Sequence, residues 1–214
     1  MLIVRFRVGD ATRYGALEGN TVMPSKIVAV GLNYRARAAE LAEALPDLPV
    51  LALKPPSAVI GPDDPIVLPP QSDFVEHEAE LAIVLKRRCH KVSPVRARDY
   101  VLGYTALNDV TARDVTARDR LAARAKGFDT FCPLGPCIAT DLDPSALTVE
   151  GLVTKDLIFP VEDLIARVSE VVTLMPGDVI ATGTPAGAAR LLPGDRVEIR
   201  VEGVGSLKNP VVKL

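Results

Sequence analysis

Between residues 75 and 85 the chain reads VEHEAELAIVL, with Glu76, Glu78 and Glu80 at every second position as the segment turns apolar. On a strand this spacing puts the three carboxylates on one face and His77, Ala79 and Leu81 on the other. Buried carboxylates without partners are costly, so that face must meet solvent, basic side chains or a cation. Further along, Asp109 follows the apolar run YTALN in GYTALNDVTARD and lies near a strand end. Together, Glu78, Glu80 and Asp109 offer three anionic oxygen ligands, a donor set suited to Mg2+ or Mn2+. Periodicity leaves a second reading open, an acidic strand edge facing solvent and paired with lysines and arginines.

These residues need elements to hold them. Residues 1–24, with LIVRFRV and the turn-like ALEGNTV, read as a small hairpin preceding one catalytic-size domain over 25–214. KIVAVGLNY predicts a buried strand ending at Gly31, and RARAAELAEAL a helix over 35–45 closed by Pro46. A long strand is expected from Glu78 to Lys86, and a short helix followed by an apolar strand over 96–114. The segment KGFDTFCPLGPCIAT reads as a loop and then a strand. Val161, Leu164, Ile165, Val168 and Val172 form one apolar stripe at helical spacing, and GDRVEIRVEGVGSLKNPVVKL supplies two closing strands. Many strands, few short helices and irregular polar loops argue for a mixed α/β, strand-dominated domain with a rolled sheet.

Composition narrows the partners. The 214 residues carry 25 basic and 27 acidic side chains, a net charge of −2, and no basic face that would favour nucleic acid. Cys89, Cys132 and Cys137 are odd in number and lack zinc or redox spacing, which fits buried thiols in a reducing compartment. No apolar run reaches signal-peptide or membrane-spanning length. The expectation is a soluble cytoplasmic protein with a small-molecule partner.

The ordered segments GLNY (31–34), LKPPSAVIG (53–61), EHEAELAIVL (76–85), GYTALNDVTARD (103–114), KGFDTFCPLGP (126–136), TLMPGDVIATGTPAG (173–187) and GDRVEIRVEGVGSLKNPV (194–211) resemble the fumarylacetoacetate hydrolase family. The likeness is to its single-domain bacterial members, such as 2-hydroxyhepta-2,4-diene-1,7-dioate isomerase/decarboxylases and acylpyruvases. It implies the family's rolled mixed β-sheet, usually a homodimer, with Mg2+ or Mn2+ held by Glu78, Glu80 and Asp109. It further implies that Lys126 holds a substrate carboxylate or oxyanion and that Thr184, in TGTP, contacts substrate. Tyr34 and Arg113 fall in matched motifs and stand between site and scaffold. Lys54 and Ser57 lie in a matched loop that packing alone would explain, and Glu76 is left to a supporting or surface role.

Hydrolytic members of the family place a histidine three residues after the tyrosine of the NY motif and a glutamate three beyond it, a pair that activates water. In NYRARAAE, Arg37 takes the histidine's place and Glu40 is kept. An arginine stays protonated at any working pH and cannot take a proton from water. His77 is a poor replacement on the opposite strand face, and His90 reads as solvated loop. Thr116 stands where many relatives carry glutamine, and LTVEGLVTKDLIF is shorter than the usual hairpin. Family substrates have a 2-oxo acid head whose cleavage or isomerisation passes through an enolate that the cation stabilises. Water attack on an acyl carbon needs a base, whereas CO2 departs unaided, and the same metal-bound enolate also serves keto–enol or diene isomerisation. The expected function is decarboxylation or isomerisation of 2-oxo or 2-hydroxydienoic dicarboxylic acids, with Arg37 and Glu40 in an altered lid and Arg37 fit to grip a distal carboxylate. The alternatives are a C–C hydrolase using another base, or a silent family member.

Overall fold

All seven residues of the strand Ala79–Leu85 are buried, so AELAIVL needs no alternation of polar and apolar side chains. It pairs antiparallel with Val101–Asn108 on one side and Val179–Ala181 on the other. A computed structural model describes residues 2–8, 11–17, 24–150 and 152–213, with backbone only for the first two stretches and Leu152.

The principal sheet has nine strands. Eight run in the order Leu2–Val8, Ala11–Leu17, Cys132–Ala139, Val101–Asn108, Ala79–Leu85, Val179–Ala181, Ile27–Gly31 and Val50–Lys54, while Val59–Ile60 joins Cys132–Ala139 in parallel. Leu2–Val8 and Ala11–Leu17 pair antiparallel, and Arg13 faces Ala139 of the neighbouring strand; the rest of residues 1–23 lies outside the described residues. A second sheet of five strands contains Arg196–Val201 and Gly205–Lys213, and its Arg196–Val201 strand packs over Ala79–Leu85 and Val101–Asn108. Both sheets curl, giving the strand-dominated mixed α/β architecture expected.

The two faces of the central strand enter different clusters. Leu81, Ile83 and Leu85 share the larger one with Ile199, Leu207, Leu164, Ile165 and Val168. Ala82 and Val84 join Ile27, Ala29, Val179 and Ala181 in the smaller one. Glu80 lies on this second face, which explains how a carboxylate comes to be 1% exposed.

Helix α1 (Arg35–Glu40) is shorter than the eleven-residue pattern predicts. Ala42 takes a left-handed conformation (φ 54°), and Glu43 N–H donates to Ala38 O while Ala42 N–H donates to Ala39 O, the bonding of a Schellman stop. Leu41 and Leu45 are left about half exposed, so the apolar periodicity beyond residue 40 finds no core to face. Helices α2 (Arg113–Asp119) and α3 (Ala122–Lys126) are separated by Arg120 at φ 54°. Helix α4 (Val161–Val171) buries Val161, Leu164, Ile165 and Val168 as expected, with Glu162 and Asp163 in its first turn where the helix dipole favours them. Val172 falls just past its end.

Candidate metal centre

Strand pairing builds the site. Ala79 is registered opposite Asn108, and just beyond this pair Asp109 N–H donates to Glu78 O at 2.9 Å while Asn108 Oδ1 accepts from Glu78 N–H at 3.0 Å. These bonds hold the carboxyls of Glu78 and Asp109 side by side where the ladder ends. Glu80, two residues into the strand, accepts the Gly183 N–H at Oε2 (2.8 Å). All three acids are buried, and each offers an oxygen within 4.8 Å of the others.

Among the described residues three cations touch this cluster. Lys54 Nζ donates to Asp109 Oδ1 at 2.6 Å and to Val110 O at 3.1 Å. Lys126 Nζ donates to Glu78 Oε2 at 2.9 Å, to Thr111 Oγ1 at 2.8 Å and to Asp109 Oδ2. Arg113 Nη2 donates to Glu78 Oε1. Lys126, expected in a loop, is the last residue of α3 and is 9% exposed, because the short helix delivers its stem inward. Lys54 is not a packing residue of a loop: it ends the strand Val50–Lys54 and is 1% exposed.

Burial and charge act on these groups in opposite senses. Burial pushes the Asp109 carboxyl up, but Lys126 and Lys54 outweigh it and hold the group down at about 2. Glu80 goes the other way: burial, then the charges of Asp109 and Glu78, raise it well above the usual carboxylate range, against Lys126 and the Gly183 N–H. Burial works against the Lys126 ammonium, yet Asp109 and Glu78 raise its pKa above that of a free lysine. The all-oxygen donor set, crowded enough to keep one carboxyl from ionising readily, fits a hard divalent cation.

A second layer of charge adjoins the first. Arg113 Nε donates to Glu76 Oε2 at 2.7 Å, and Arg37 Nη2 lies 3.8 Å from the same oxygen. Arg37 also donates to Glu40, whose other oxygen accepts the Gly187 N–H at 3.2 Å. Glu76 therefore sits between two arginines and does not extend the row of Glu78 and Glu80, because the strand is interrupted after it and Glu76 pairs with Thr111 instead. Tyr34 is fully buried, and its Oη has no hydrogen-bond partner among the described residues. Burial, then the charges of Glu80 and Asp156, push its phenol up. Thr184 is buried in the same loop as Gly183. Burial lowers the pKa of His77 against the charges of Glu150, Glu76 and Glu78, and its Nδ1 is buried without a partner among the described residues. Thr116 spends its hydroxyl on Ala112 O within α2 at 3.3 Å.

One residue escaped the sequence reading. Asn33 is fully buried; its Nδ2 donates to Thr182 O at 2.8 Å and Phe159 O at 3.1 Å, and its Oδ1 accepts from Phe159 N–H at 2.8 Å. It fastens the GLNY turn to the loop carrying Gly183 and Thr184. A polar amide two residues past the apolar strand Ile27–Gly31 is the available signal.

The fumarylacetoacetate (FAA) hydrolase C-terminal family model matches residues 26–212. The chain belongs to the fumarylacetoacetate hydrolase family. The structure of 5-carboxymethyl-2-hydroxymuconate delta-isomerase from Mycobacterium smegmatis is 43% identical and superposes with a TM-score of 0.85, covering 99% of this chain and 94% of that one. Maleylpyruvate hydrolase from Sphingobium sp. SYK-6, solved with manganese(II) ion and pyruvate, is 37% identical with a TM-score of 0.74, covering 89% and 71%. The human mitochondrial oxaloacetate tautomerase FAHD2B is 40% identical over 210 residues, 88% of this chain and 67% of the relative. This member of the fumarylacetoacetate hydrolase family is thus an enzyme related to isomerases, hydrolases and a tautomerase. Among the described residues no helix is long and apolar enough to cross a membrane.

Proposed function

We propose that the protein is a divalent-metal-dependent enzyme that isomerises or decarboxylates 2-oxo dicarboxylic acids and their enols. The observation that carries this reading is the buried cluster of Glu78, Glu80 and Asp109 with Lys126 inside it and no imidazole at position 37. A Mg2+ or Mn2+ ion held by the three carboxylates supplies Lewis-acid polarisation of a 2-oxo group and stabilises negative charge developing on its oxygen.

The chain's own groups set the rest. Counting only side chains that touch the cluster, three acids face three bases; a divalent cation would leave two positive charges in excess, the complement of a dicarboxylate. Lys126 stays protonated, so it donates hydrogen bonds to a substrate oxyanion and does not act as a base. Glu40, whose hydrogen bond to Arg37 holds its carboxyl below the usual range, is a poor acceptor for a proton from water. Decarboxylation expels CO2 and leaves the enolate with no proton abstraction and no activated water; keto–enol exchange passes the C3 proton to a base and returns one to the carbonyl oxygen, and it too needs no water as nucleophile. The activity of the human relative, named as an oxaloacetate tautomerase, is the same class of reaction.

The test is steady-state turnover of oxaloacetate, an acylpyruvate and a 2-hydroxydienedioate with Mg2+ or Mn2+, with EDTA, and in Glu78→Ala. The reading expects EDTA- and Glu78-sensitive isomerisation or decarboxylation with little acylpyruvate cleavage. Efficient acylpyruvate hydrolysis would favour a C–C hydrolase.

A further inference from the structure

Glu40, Arg37, Glu76, Arg113 and Glu78 form an unbroken row of alternating charge from helix α1 to the candidate metal ligand. Its two ends differ in setting: the Glu40 side chain is 40% exposed, that of Glu78 8%. Glu76 is the shared member. Its Oε2 is 2.7 Å from Arg113 Nε and 3.8 Å from Arg37 Nη2, and it is the carboxylate that both guanidinium groups hold.

We infer that Glu76 is a positioning residue for Glu78, acting through Arg113, and that Arg37 fixes Glu76 and thereby ties helix α1 to the metal centre. The inference rests on the reading that Glu78, Glu80 and Asp109 hold a divalent cation. A planar guanidinium bonded through Nε to one carboxylate and through Nη2 to another fixes the direction of both. With Glu76 held by Arg37 and by its backbone pairing to Thr111, Arg113 has a defined place from which to orient Glu78. Without the Glu76 charge, Arg113 keeps Glu78 as its acidic partner but loses the anchor that directs it. The arrangement also gives Arg37 work that does not involve substrate: both its carboxylate partners belong to the protein, and the residue is only 8% exposed.

The test is a double-mutant cycle on Mn2+ affinity, measured by calorimetry on the metal-stripped full chain, with amide exchange of residues 38–41 as a second readout. Glu76→Gln is expected to weaken Mn2+ binding roughly 10- to 100-fold, the range for partners that orient a ligand, and to speed exchange of the Ala38 and Leu41 amides. Arg37→Met is expected to weaken binding less, to add nothing when combined with Glu76→Gln, and to be partly rescued by Arg37→Lys. Arg37→Met lies on α1, outside the sheet core, and carries the test should Glu76→Gln not fold. Wild-type Mn2+ affinity in Glu76→Gln, or an additive Arg37→Met, overturns the inference; a wild-type chain that binds no Mn2+ overturns the metal reading beneath it.

Discussion

Lys126 Nζ lies 2.9 Å from Glu78 Oε2 and also donates to Asp109, so an ammonium bridges two of the three candidate ligands. A cation binding between those carboxylates must share them with that ammonium. Lys126→Met should therefore separate stability from turnover. Removing one partner of a buried charge pair typically costs about 3–5 kcal/mol, so the metal-free variant should melt lower, with Mn2+ recovering much of the loss. Turnover of oxaloacetate should stay depressed on the order of 10²- to 10³-fold with metal present, because the oxyanion donor is gone. Melting curves and kcat with and without Mn2+ check both halves.

Glu80 predicts a proton count. Its pKa is raised well above 4.5 by burial, then by Asp109 and Glu78, and a metal ligand must be ionised. Metal uptake should release protons and weaken as pH falls into the range where Glu80 becomes protonated. In the metal-free protein the signs differ by residue. Glu80, raised on folding, makes the fold less stable as pH rises from its unfolded value towards its folded one; Asp109, held at about 2, contributes stability above 3.8 that is lost as pH falls towards 2. Calorimetry in two buffers of different ionisation enthalpy gives the proton count, and Glu80→Gln should abolish most of it.

Gly183→Ala should damage the same site through the backbone. Gly183 is at φ 97°, and a Cβ there would meet Asn33 Cβ at 2.8 Å and Val30 O at 3.1 Å. The loop must move, and with it the N–H that Glu80 accepts. A left-handed conformation alone disfavours a side chain by roughly 1–2 kcal/mol. The variant should melt lower and bind Mn2+ more weakly, whereas Gly187→Ala, also at positive φ but with no atom within 4 Å of its added Cβ, should lose stability with a smaller effect on metal.

Arg37→His should restore a group able to accept a proton beside Glu40. If the arginine is what suppresses water activation, acylpyruvate hydrolysis should rise on the order of 10²-fold, the lower end for a general base. Hydrolysis rates of wild type and variant at neutral pH decide it.

How far these arrangements were legible depended on whether local chemistry or remote packing set them. The α4 stripe and the closing strands follow from periodicity, since the period reports which face is buried; the strand at 79–85, buried on both faces, follows from its short apolar run. Lys54 and Lys126 read as loop residues because their depth is set by where Val50–Lys54 and α3 end against Asp109, which no local pattern encodes. Helix α1 ends before the sequence pattern does because RARAAELAEAL keeps helical spacing past the Schellman stop at Ala42. Even spacing grouped Glu76 with Glu78 and Glu80, but the break in the strand gave it to Arg113 and Arg37. The partners of Asn33 lie 126 and 149 residues away, beyond any window of sequence.

The most direct test is to titrate Mn2+ into metal-stripped protein while following keto–enol exchange of oxaloacetate, in wild type and in Asp109→Asn. Activity should rise with occupancy of a single site, be removed by EDTA, and be nearly absent in the variant at the same Mn2+ concentration. Exchange that is unaffected by EDTA, or equal in Asp109→Asn, would contradict it.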